Sequence, residues 1–459
     1  MKHLSSSIKP KGYQQQILDE LEYLPAVALF MGTGSGKTYT SLFKTRSNPT
    51  SNLLVICPAR VVEQWQENIP HVLSNYTVMT FPKRSTASTK NALLTNLQGG
   101  QNAVVVSLEV VSKLTNLNKI INKDWTIIVD ESHKIKELGT RRSPIKVTTA
   151  VLALGEKTPF KIILTATPTQ KEYGGYIDYF TQLKFLGFMK ITHSQFVDRY
   201  CKIQLIPMEP YPVKKIVGYR NVEEIENILS IVARRYVPKF TDGEPVFVKV
   251  PIEQCKSYKK FEKERFYKDL DLQNLSAMRI ARKTLAGGRI TGSDVFGTKI
   301  QYDDNTNKLD WLRDFLNDTD EPVLVFYQYN VERDLIIKML QEEKHTYLTI
   351  NGDTPFSRKA LDARDYKVIL GQINACGESV DGLQFKTHIA VYYAMPESSV
   401  AYTQSLGRID RMGQEKLPMY YHLVMKDTID EPIYHMTKNK VFFNEAVLNK
   451  LNIKEETYE

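Results

Sequence analysis

The chain has 459 residues, of which 42% are hydrophobic and 25% are charged, and these proportions exclude a disordered chain, a fibrous repeat and a small disulfide-stabilised domain. Lys and Arg number 61 against 52 Asp and Glu, so the formal net charge is +9. This balance favours polyanionic partners, although charge alone does not indicate a fold.

The cysteines and the apolar stretches bear on the cellular compartment. Cys57, Cys201, Cys255 and Cys376 are far apart in the sequence, which favours buried, reduced thiols over a zinc or redox motif. No apolar run follows the charged residues at the N-terminus, and the stretch 26–31 is too short to cross a bilayer. We therefore expect a cytoplasmic protein without a membrane partner.

Short β-branched runs alternate with helical patterns along most of the chain, which is typical of parallel sheets with crossover helices. The predicted strands are 27–31, 53–57, 77–81, 104–107, 126–130 and 161–165, and then 323–327, 347–350, 367–370, 389–393 and 420–424. Between about 173 and 307 the alternation is poor, and the pattern indicates basic, helical structure. The sequence predicts an α/β fold with two lobes, 1–240 and 241–459, and a helical connector.

The first chemical motif is a glycine-rich loop between the strand 27–31 and a predicted helix. Its residues are Met31, Gly32, Thr33, Gly34, Ser35, Gly36, Lys37 and Thr38. Glycines let backbone N–H groups converge on a triphosphate, and a helix N-terminus favours its negative charge. Lys37 is expected to reach the β- and γ-phosphates of ATP, and Thr38 to bind Mg²⁺. Met31 stands where the strict pattern has Gly, so a plain glycine-rich turn is the alternative.

The second motif is an acidic pair, Asp130 and Glu131, directly after the strand 126–130. The carboxyl edge of an open α/β sheet is where ligands bind, so Asp130 is expected to hold Mg²⁺ and Glu131 to deprotonate the attacking water. A solvated turn is the alternative for an isolated Asp-Glu pair. His133 either relays between the ATP site and a nucleic-acid site or simply binds a neighbouring loop.

The third motif, Gln404–Gln414, contains Arg408 and Arg411. Residues three apart share a helix face, and two guanidinium groups presented together suit a γ-phosphate whose charge redistributes as its bond breaks. A surface ion-pair face is the alternative. Because these arginines and the phosphate loop fall in different lobes, hydrolysis is expected to need both lobes.

Three other features each allow a functional and a structural interpretation. The basic, aromatic segment 256–268 fits either a nucleic-acid groove or, better, an amphipathic helix packed on the core. The segment 285–297 is rich in Gly and Ser and is predicted to be a loop, which is either mobile until a ligand arrives or a plain surface connection within the second lobe. Trp65 is predicted to pack in the helix after Arg60 rather than to stack on a base.

Together the three motifs resemble those of superfamily-two helicases, and more closely the Swi/Snf-like family of DNA-dependent ATPases. The resemblance spans nearly the whole chain and implies two RecA-like lobes, a helicase ATP-binding lobe and a helicase C-terminal lobe. Its motifs in lobe one include 54–65, 104–111 and 164–170. The lobe-two motif at 375–383 departs from the family pattern, which usually ends in Asn-Leu. The size is similar to that of compact phage-encoded members, which would place the protein in a bacterial host cytoplasm.

The resemblance also implies roles for further residues. Tyr13 and Gln14 match the adenine-reading motif. His133, Thr165, Thr167 and Gln404 are expected to couple hydrolysis to the grip on nucleic acid. Arg60, Ser107, Gln328 and Gly352 are expected to contact a nucleic-acid backbone.

The function predicted from these features is a nucleic-acid-stimulated ATPase that uses ATP and Mg²⁺ to move along double-stranded DNA. One alternative is an ATP-gated clamp that regulates replication or repair proteins without moving. Another is a strand-separating helicase acting on single-stranded DNA or RNA.

Overall fold

Two parallel β-sheets, one in each of two units, form the framework of the chain in this computed structural model. The units are Met1–Pro238 and Lys239–Glu459. The structure describes residues 8–82, 85–97, 99–135, 145–169, 175–206, 213–237, 239–241, 243–264, 270, 275–293, 296, 298–303, 307–354 and 356–438. Helices accompany both sheets, so the predicted α/β class with two parallel-sheet lobes is confirmed.

The sheet of the first unit has seven strands in the order β3-β4-β2-β5-β6-β1-β9, and every neighbouring pair is parallel. A separate antiparallel hairpin contains β7 and β8. The strands are β1 Ala26–Met31, β2 Asn52–Cys57, β3 Thr77–Met79, β4 Asn102–Ser107, β5 Trp125–Asp130, β6 Lys161–Leu164, β7 Cys201–Ile206, β8 Val213–Tyr219 and β9 Ala233–Tyr236.

Helices cover both faces of this sheet. They are α1 Gly12–Glu20, α2 Lys37–Ser47, α3 Val62–Val72, α4 Ala87–Thr95, α5 Leu108–Val111, α6 Leu117–Ile120, α7 Lys146–Gly155, α8 Tyr179–Leu186, α9 His193–Tyr200 and α10 Val222–Val232. In β1, Ala28 and Phe30 join one apolar cluster, whereas Val27 and Leu29 join the cluster on the opposite face. Burial on both faces explains why the central strands read as continuous apolar runs.

The second unit repeats this architecture with six parallel strands in the order β10-β17-β16-β13-β15-β14, and it also carries an antiparallel hairpin, β11–β12. Its strands are β10 Val246–Ile252, β11 Arg289–Ser293, β12 Lys299–Asp303, β13 Val323–Tyr327, β14 Tyr347–Ile350, β15 Val368–Gln372, β16 Ile389–Tyr392 and β17 Met419–Met425. Its helices are α11 Lys256–Glu264, α12 Leu275–Ala286, α13 Asn307–Asp318, α14 Asn330–Glu342, α15 Arg358–Asp362, α16 Ile373–Ser379, α17 Ser399–Leu406 and α18 Asp430–Lys438.

The stretch 173–307 differs from the expected helical connector. It is rich in helices, but it also supplies the edge strand β9 to the first sheet and the edge strand β10 to the second. The predicted loop 285–297 is wrong over Arg289–Ser293, which pairs with β12. The predicted amphipathic helix is present as α11, with Tyr258 and Phe261 buried against the core.

Among the residues that the structure describes, no helix is both long and apolar enough to cross a bilayer. All four cysteines are buried, and none of them is part of a disulfide bond.

A buried histidine connects the sheet of the second unit to α17. His422 of β17 is 0% exposed, and its ring stacks on Tyr392 with centroids 4.9 Å apart. The hydroxyl of Tyr402 on α17 lies 2.9 Å from Nε2 of His422, which suits a neutral imidazole that accepts this hydrogen bond. Burial lowers the pKa of His422 to about 4. A neutral His422 therefore helps to hold the helix that leads to Arg408.

We predict that acid destabilises the second unit through His422. The unfolded state takes up a proton below its ordinary pKa of 6.5, whereas the folded state resists protonation down to about 4. Stability is therefore full above 6.5 and falls as the pH drops towards 4, by ~2 kcal/mol at pH 5. Urea unfolding at pH 7.5 and pH 5 measures this loss. The loss of stability should shrink in His422→Gln, because glutamine cannot titrate. It should persist in the control His435→Gln, which changes an exposed histidine of the same unit. An equal loss in both variants would contradict the assignment to His422.

Candidate active site

Three motif-bearing loops of the first unit leave neighbouring strands at the same edge of the sheet. In the strand order, β6 lies between β5 and β1. The glycine-rich loop follows β1, the acidic pair ends β5, and Thr165 follows β6. Parallel strands thus bring these three motifs to one carboxyl edge, where open α/β sheets bind ligands.

The glycine-rich loop has the backbone geometry that its sequence requires. Gly34 and Gly36 both have φ of +73°, a left-handed conformation that favours glycine. The hydroxyl of Ser35 donates to the Gly32 carbonyl over 2.6 Å, and the Gly32 amide donates to the Tyr236 carbonyl over 2.8 Å. Helix α2 begins at Lys37, so the first free N–H groups of the helix follow the loop directly.

Tyr13 and Gln14 contact the glycine-rich loop through the protein itself. The Tyr13 hydroxyl donates to the Ser35 carbonyl over 2.8 Å. The Gln14 amide donates to the Gly36 carbonyl over 3.2 Å and to the Thr40 hydroxyl over 3.0 Å. The side-chain oxygen of Gln14 accepts from the Lys11 amide over 2.9 Å. In addition to the expected contact with adenine, Gln14 therefore stabilises the position of the phosphate loop.

Glu131 lies between two cationic or polar partners in an unusual backbone conformation. Its Oε1 is 3.8 Å from Nζ of Lys37, and its Oε2 is 3.3 Å from Nδ1 of His133. Its φ of +50° is uncommon for a residue with a side chain and costs about 1–3 kcal/mol. Such strain persists where surrounding contacts fix the residue, and the contacts with Lys37 and His133 do so here.

The pKa values of the two neighbouring carboxylates are shifted in opposite directions. Burial and the adjacent Glu131 charge raise the pKa of Asp130 above its ordinary value. Burial alone would raise the pKa of Glu131 as well, but the Lys37 ammonium, the hydrogen bond with His133 and the Lys134 charge together outweigh burial and lower that pKa. Glu131 is therefore held as the charged member of the pair, which suits a base that must be deprotonated before it accepts a proton.

His133 joins the acidic motif to the loop after β6. Its Nδ1 lies 3.0 Å from the Thr165 hydroxyl as well as 3.3 Å from Glu131. The Thr165 hydroxyl also accepts from the Thr167 amide over 3.0 Å. The structure thus brings together His133, Thr165 and Thr167, three of the four residues expected to couple hydrolysis to grip. Gln170, the last residue of that motif, lies outside the described residues.

Two residues that sequence reasoning missed hold these loops. The Trp65 indole N–H donates to Oδ2 of Asp130 over 3.0 Å, so Trp65 does more than pack. Gln182 of α8 accepts from the Ser132 hydroxyl and donates to the Pro168 carbonyl, both over 2.9 Å. The position of Trp65 in the motif 54–65 is a signal for the first, whereas nothing in the sequence singles out Gln182.

The two arginines of the second unit do not lie on a helix, although their spacing of three would place them on one face of a helix. Helix α17 ends at Leu406, and Arg408 and Arg411 follow in turns. A side-chain nitrogen of each arginine nevertheless reaches the same Val380 carbonyl, over 2.5 Å and 3.5 Å respectively. Asp381 lies 3.2 Å from Arg411. The turn therefore still gathers the two guanidinium groups, because one loop accepts both.

Gln404 supports this turn from within α17. Gln404 is buried, and its backbone carbonyl accepts a hydrogen bond from Nε of Arg408 over 3.1 Å. Gln414 donates to the Ile409 carbonyl over 3.2 Å and so closes the other end of the turn. Both glutamines of the motif thus have structural roles around the arginines.

The residues expected to contact nucleic acid follow strands of both sheets. Arg60 is exposed in the 3₁₀ turn Ala59–Val61 after β2, and Ser107 ends β4. Gln328 follows β13, where its side-chain oxygen accepts from Lys283 over 2.9 Å. Gly352 is exposed after β14, with open space where a Cβ would stand. Within each unit these residues lie at the carboxyl edge of the sheet.

In the described part of the chain, no group of three His, Cys, Asp or Glu side chains is placed to hold a metal ion. Mg²⁺ in nucleotide sites typically takes one or two protein oxygens and completes its shell with phosphate and water. The buried Asp130 carboxylate and the Thr38 hydroxyl are oxygen donors of that kind.

Comparison with known proteins places these features in a family. A family model described as SNF2-related domain matches residues 19–301, more than half of the chain. A putative protein p41 of Acyrthosiphon pisum secondary endosymbiont phage 1 is 24% identical over 97% of this chain and 99% of its own length. Human DNA excision repair protein ERCC-6 is 23% identical over 92% of this chain, which spans 30% of that protein.

A bacterial protein and a solved archaeal structure are also similar to this chain. An uncharacterized ATP-dependent helicase, YqhH of Bacillus subtilis, is 21% identical over 87% of this chain and 71% of its own length. The Sulfolobus solfataricus SWI2/SNF2 ATPase core in complex with dsDNA aligns over 95% of this chain and 92% of its own, with 16% identity and a TM-score of 0.43. On the strength of the family match, the chain belongs to the SNF2-related domain family and is an ATP-hydrolysing enzyme of the helicase type.

Proposed function

We propose that this protein is a DNA-stimulated ATPase that moves along duplex DNA by gripping its phosphate backbone. The observation that carries the proposal is the placement of Glu131, strained and charged between Lys37 and His133. One side of Glu131 meets the phosphate loop, and the other side meets a histidine bound to the loop after β6. The same carboxylate therefore contacts both the proposed ATP site and, through His133, the loop that is expected to respond to nucleic acid.

The chemistry assigned to the first unit follows from these positions. Lys37 and the backbone of the loop would bind the phosphates, and Glu131 would orient and deprotonate the attacking water. Thr38 and Asp130 would hold Mg²⁺, which neutralises charge on the phosphates when bound. Lys37 contacts Glu131 in this structure, so phosphate binding would draw Lys37 away and release the base for the water.

The second unit is proposed to supply the two arginines. Arg408 and Arg411 both donate to the Val380 carbonyl, and Arg411 also pairs with Asp381, so their guanidinium groups lie close together. Two guanidinium groups of this kind suit the γ-phosphate in the transition state. ATP hydrolysis would then require both units, and DNA that changes their arrangement would control the rate of hydrolysis.

Duplex DNA is the proposed track. The net charge of +9 favours a polyanion, and ERCC-6 is named as a DNA excision repair protein. Arg60, Ser107, Gln328 and Gly352 are proposed to contact phosphates, which carry no base code. Binding should therefore be salt-dependent with little sequence preference. The phage relative supports a bacterial host cytoplasm as the compartment.

Two other functions remain as alternatives to this proposal. A static ATP-gated clamp that regulates replication or repair proteins would use the same ATP site without moving. A strand-separating helicase on single-stranded DNA or RNA would keep the motor and change the track. The experiments below separate them.

Replacing the proposed base tests the ATP site. Glu131→Gln keeps the size of the side chain and removes its basicity, so ATP turnover should fall by ~10²–10⁴-fold. Binding of a fluorescent ATP analogue should persist. Glu67→Gln, an exposed change on α3, is the matched control and should keep wild-type turnover. Turnover retained in Glu131→Gln would mean that another group is the base.

A panel of nucleic acids tests which polymer the protein moves along. ATP turnover should rise most with duplex DNA, less with single-stranded DNA or RNA, and the effect should weaken as salt increases. The motor should also displace the third strand of a DNA triplex in the presence of ATP. Stimulation without displacement would favour the clamp, and stimulation only by single strands would favour the helicase.

Removing the arginines tests the contribution of the second unit. Arg408→Ala and Arg411→Ala should each lower DNA-stimulated turnover by ~10³-fold, because such groups stabilise transition-state charge. ATP binding should change little. Arg364→Ala, at an exposed position of the same unit, should behave as wild type. Near-normal turnover in both arginine variants would remove the second unit from the chemistry.

A further inference from the structure

The buried indole of Trp65 contacts the acidic pair directly. Trp65 lies on α3 and is 1% exposed. Its Nε1 donates to Oδ2 of Asp130 over 3.0 Å, across 65 positions of the sequence. An indole has a single donor and no acceptor, so this bond uses the whole polar capacity of the side chain.

The bond to Trp65 completes the fixation of the Asp130 carboxylate. The other oxygen, Oδ1, accepts from the Glu131 amide over 2.9 Å. The carboxylate is therefore oriented from two sides, once by its own chain and once by α3. A phenylalanine would keep an aromatic ring in this apolar pocket, but it would leave Oδ2 without this donor.

Helix α3 also contacts the helix that follows the phosphate loop. The Tyr39 hydroxyl of α2 donates to the side-chain oxygen of Asn68 over 3.0 Å, and it lies 3.2 Å from Nδ1 of His71. The rings of Tyr39 and His71 stack at 6.4 Å. One helix thus binds both catalytic elements, the end of β5 through Trp65 and α2 through Tyr39.

The start of α3 connects these contacts to the expected DNA-binding segment. The turn Ala59–Val61, which contains Arg60, runs directly into Val62, the first residue of α3. Trp65 lies one helical turn later. A shift of the backbone of this turn when Arg60 binds a phosphate would therefore act on the first turn of α3, where the donor to Asp130 lies.

We propose that Trp65 is a positioning residue that holds the Asp130 carboxylate in its metal-binding orientation and makes α3 the route by which DNA contact reaches the metal site. The positioning role needs only the ATP site, whereas the route to DNA rests on the proposed function. The two parts are therefore tested by separate measurements on the same variants.

The test uses the full chain with Trp65→Phe and the matched control Trp125→Phe. Trp125 is equally buried and begins the strand that ends at Asp130, but it lies at the opposite end of that strand. Turnover is measured against MgCl₂ concentration at fixed ATP, with and without duplex DNA. Binding of a fluorescent ATP analogue is measured in EDTA. Because loss of an outer-shell partner typically costs 10–100-fold, half-saturation by Mg²⁺ should rise ~10–100-fold in Trp65→Phe alone.

The expected pattern is specific to positioning. Metal-free nucleotide affinity and the urea midpoint of Trp65→Phe should match those of Trp125→Phe, while the stimulation by DNA at saturating Mg²⁺ should fall. An unchanged Mg²⁺ requirement would overturn the positioning role. A raised Mg²⁺ requirement with full DNA stimulation would overturn the route through α3.

A second replacement covers the case in which Trp65→Phe misfolds. Incorporating 3-benzothienylalanine at position 65 keeps the bicyclic shape and replaces the N–H by sulfur. The same rise in Mg²⁺ half-saturation is expected, and its absence would show that Trp65 acts through packing alone. If the wild-type protein shows no DNA stimulation, the proposed function fails, but the Mg²⁺ titration without DNA still decides the positioning role.

Discussion

Two buried carboxylates in adjacent positions are the constraint on which the first unit depends. Asp130 is buried and Glu131 largely so; the two charges repel each other, and burial penalises both. The surrounding contacts offset this cost: Trp65 donates to Asp130, while Lys37 and His133 face Glu131. The left-handed backbone of Glu131 adds strain that these contacts must also sustain. The glycine-rich loop, the loop after β6 and α3 are thus all bound to one pair of charges, so a change in any of them alters the environment of the base.

The central strands and the phosphate loop could be predicted from the sequence because their physics is local. A strand buried on both faces must be apolar throughout, and runs such as Ile127–Val129 or Leu324–Phe326 therefore mark the interior of a parallel sheet. The observed strands differ from the predicted ones by at most two residues at either end. The loop was equally predictable because Gly34 and Gly36 adopt left-handed angles that few other residues tolerate. Both features depend on neighbours in sequence and need no knowledge of distant contacts.

The edge strands and the arginine turn could not be predicted because their structure depends on distant partners. Strand β9 reads Ala-Arg-Arg-Tyr and has no buried residue, so only its pairing with β1 reveals it. Strand β10 is exposed along much of its length and is defined by its pairing with β17. Spacing suggested a helix through Arg408, but the helix ends at Leu406, and the Val380 carbonyl from a separate loop gathers both guanidinium groups. The bond between Trp65 and Asp130 belongs to the same class, since a tryptophan in an amphipathic helix reads as core.

The phosphate loop has a further connection that its local sequence hides, and it bears on how nucleotide binding spreads. The Gly32 amide donates to the carbonyl of Tyr236, the last residue of β9, and the Tyr236 ring stacks on Tyr13 at 4.2 Å. Tyr13 in turn donates to the Ser35 carbonyl, so the loop is held at both ends by one aromatic pair. Tyr236 lies two residues before the end of the first unit. The phosphate loop is therefore bound directly to the last strand of the first unit, close to the point where the chain passes to the second.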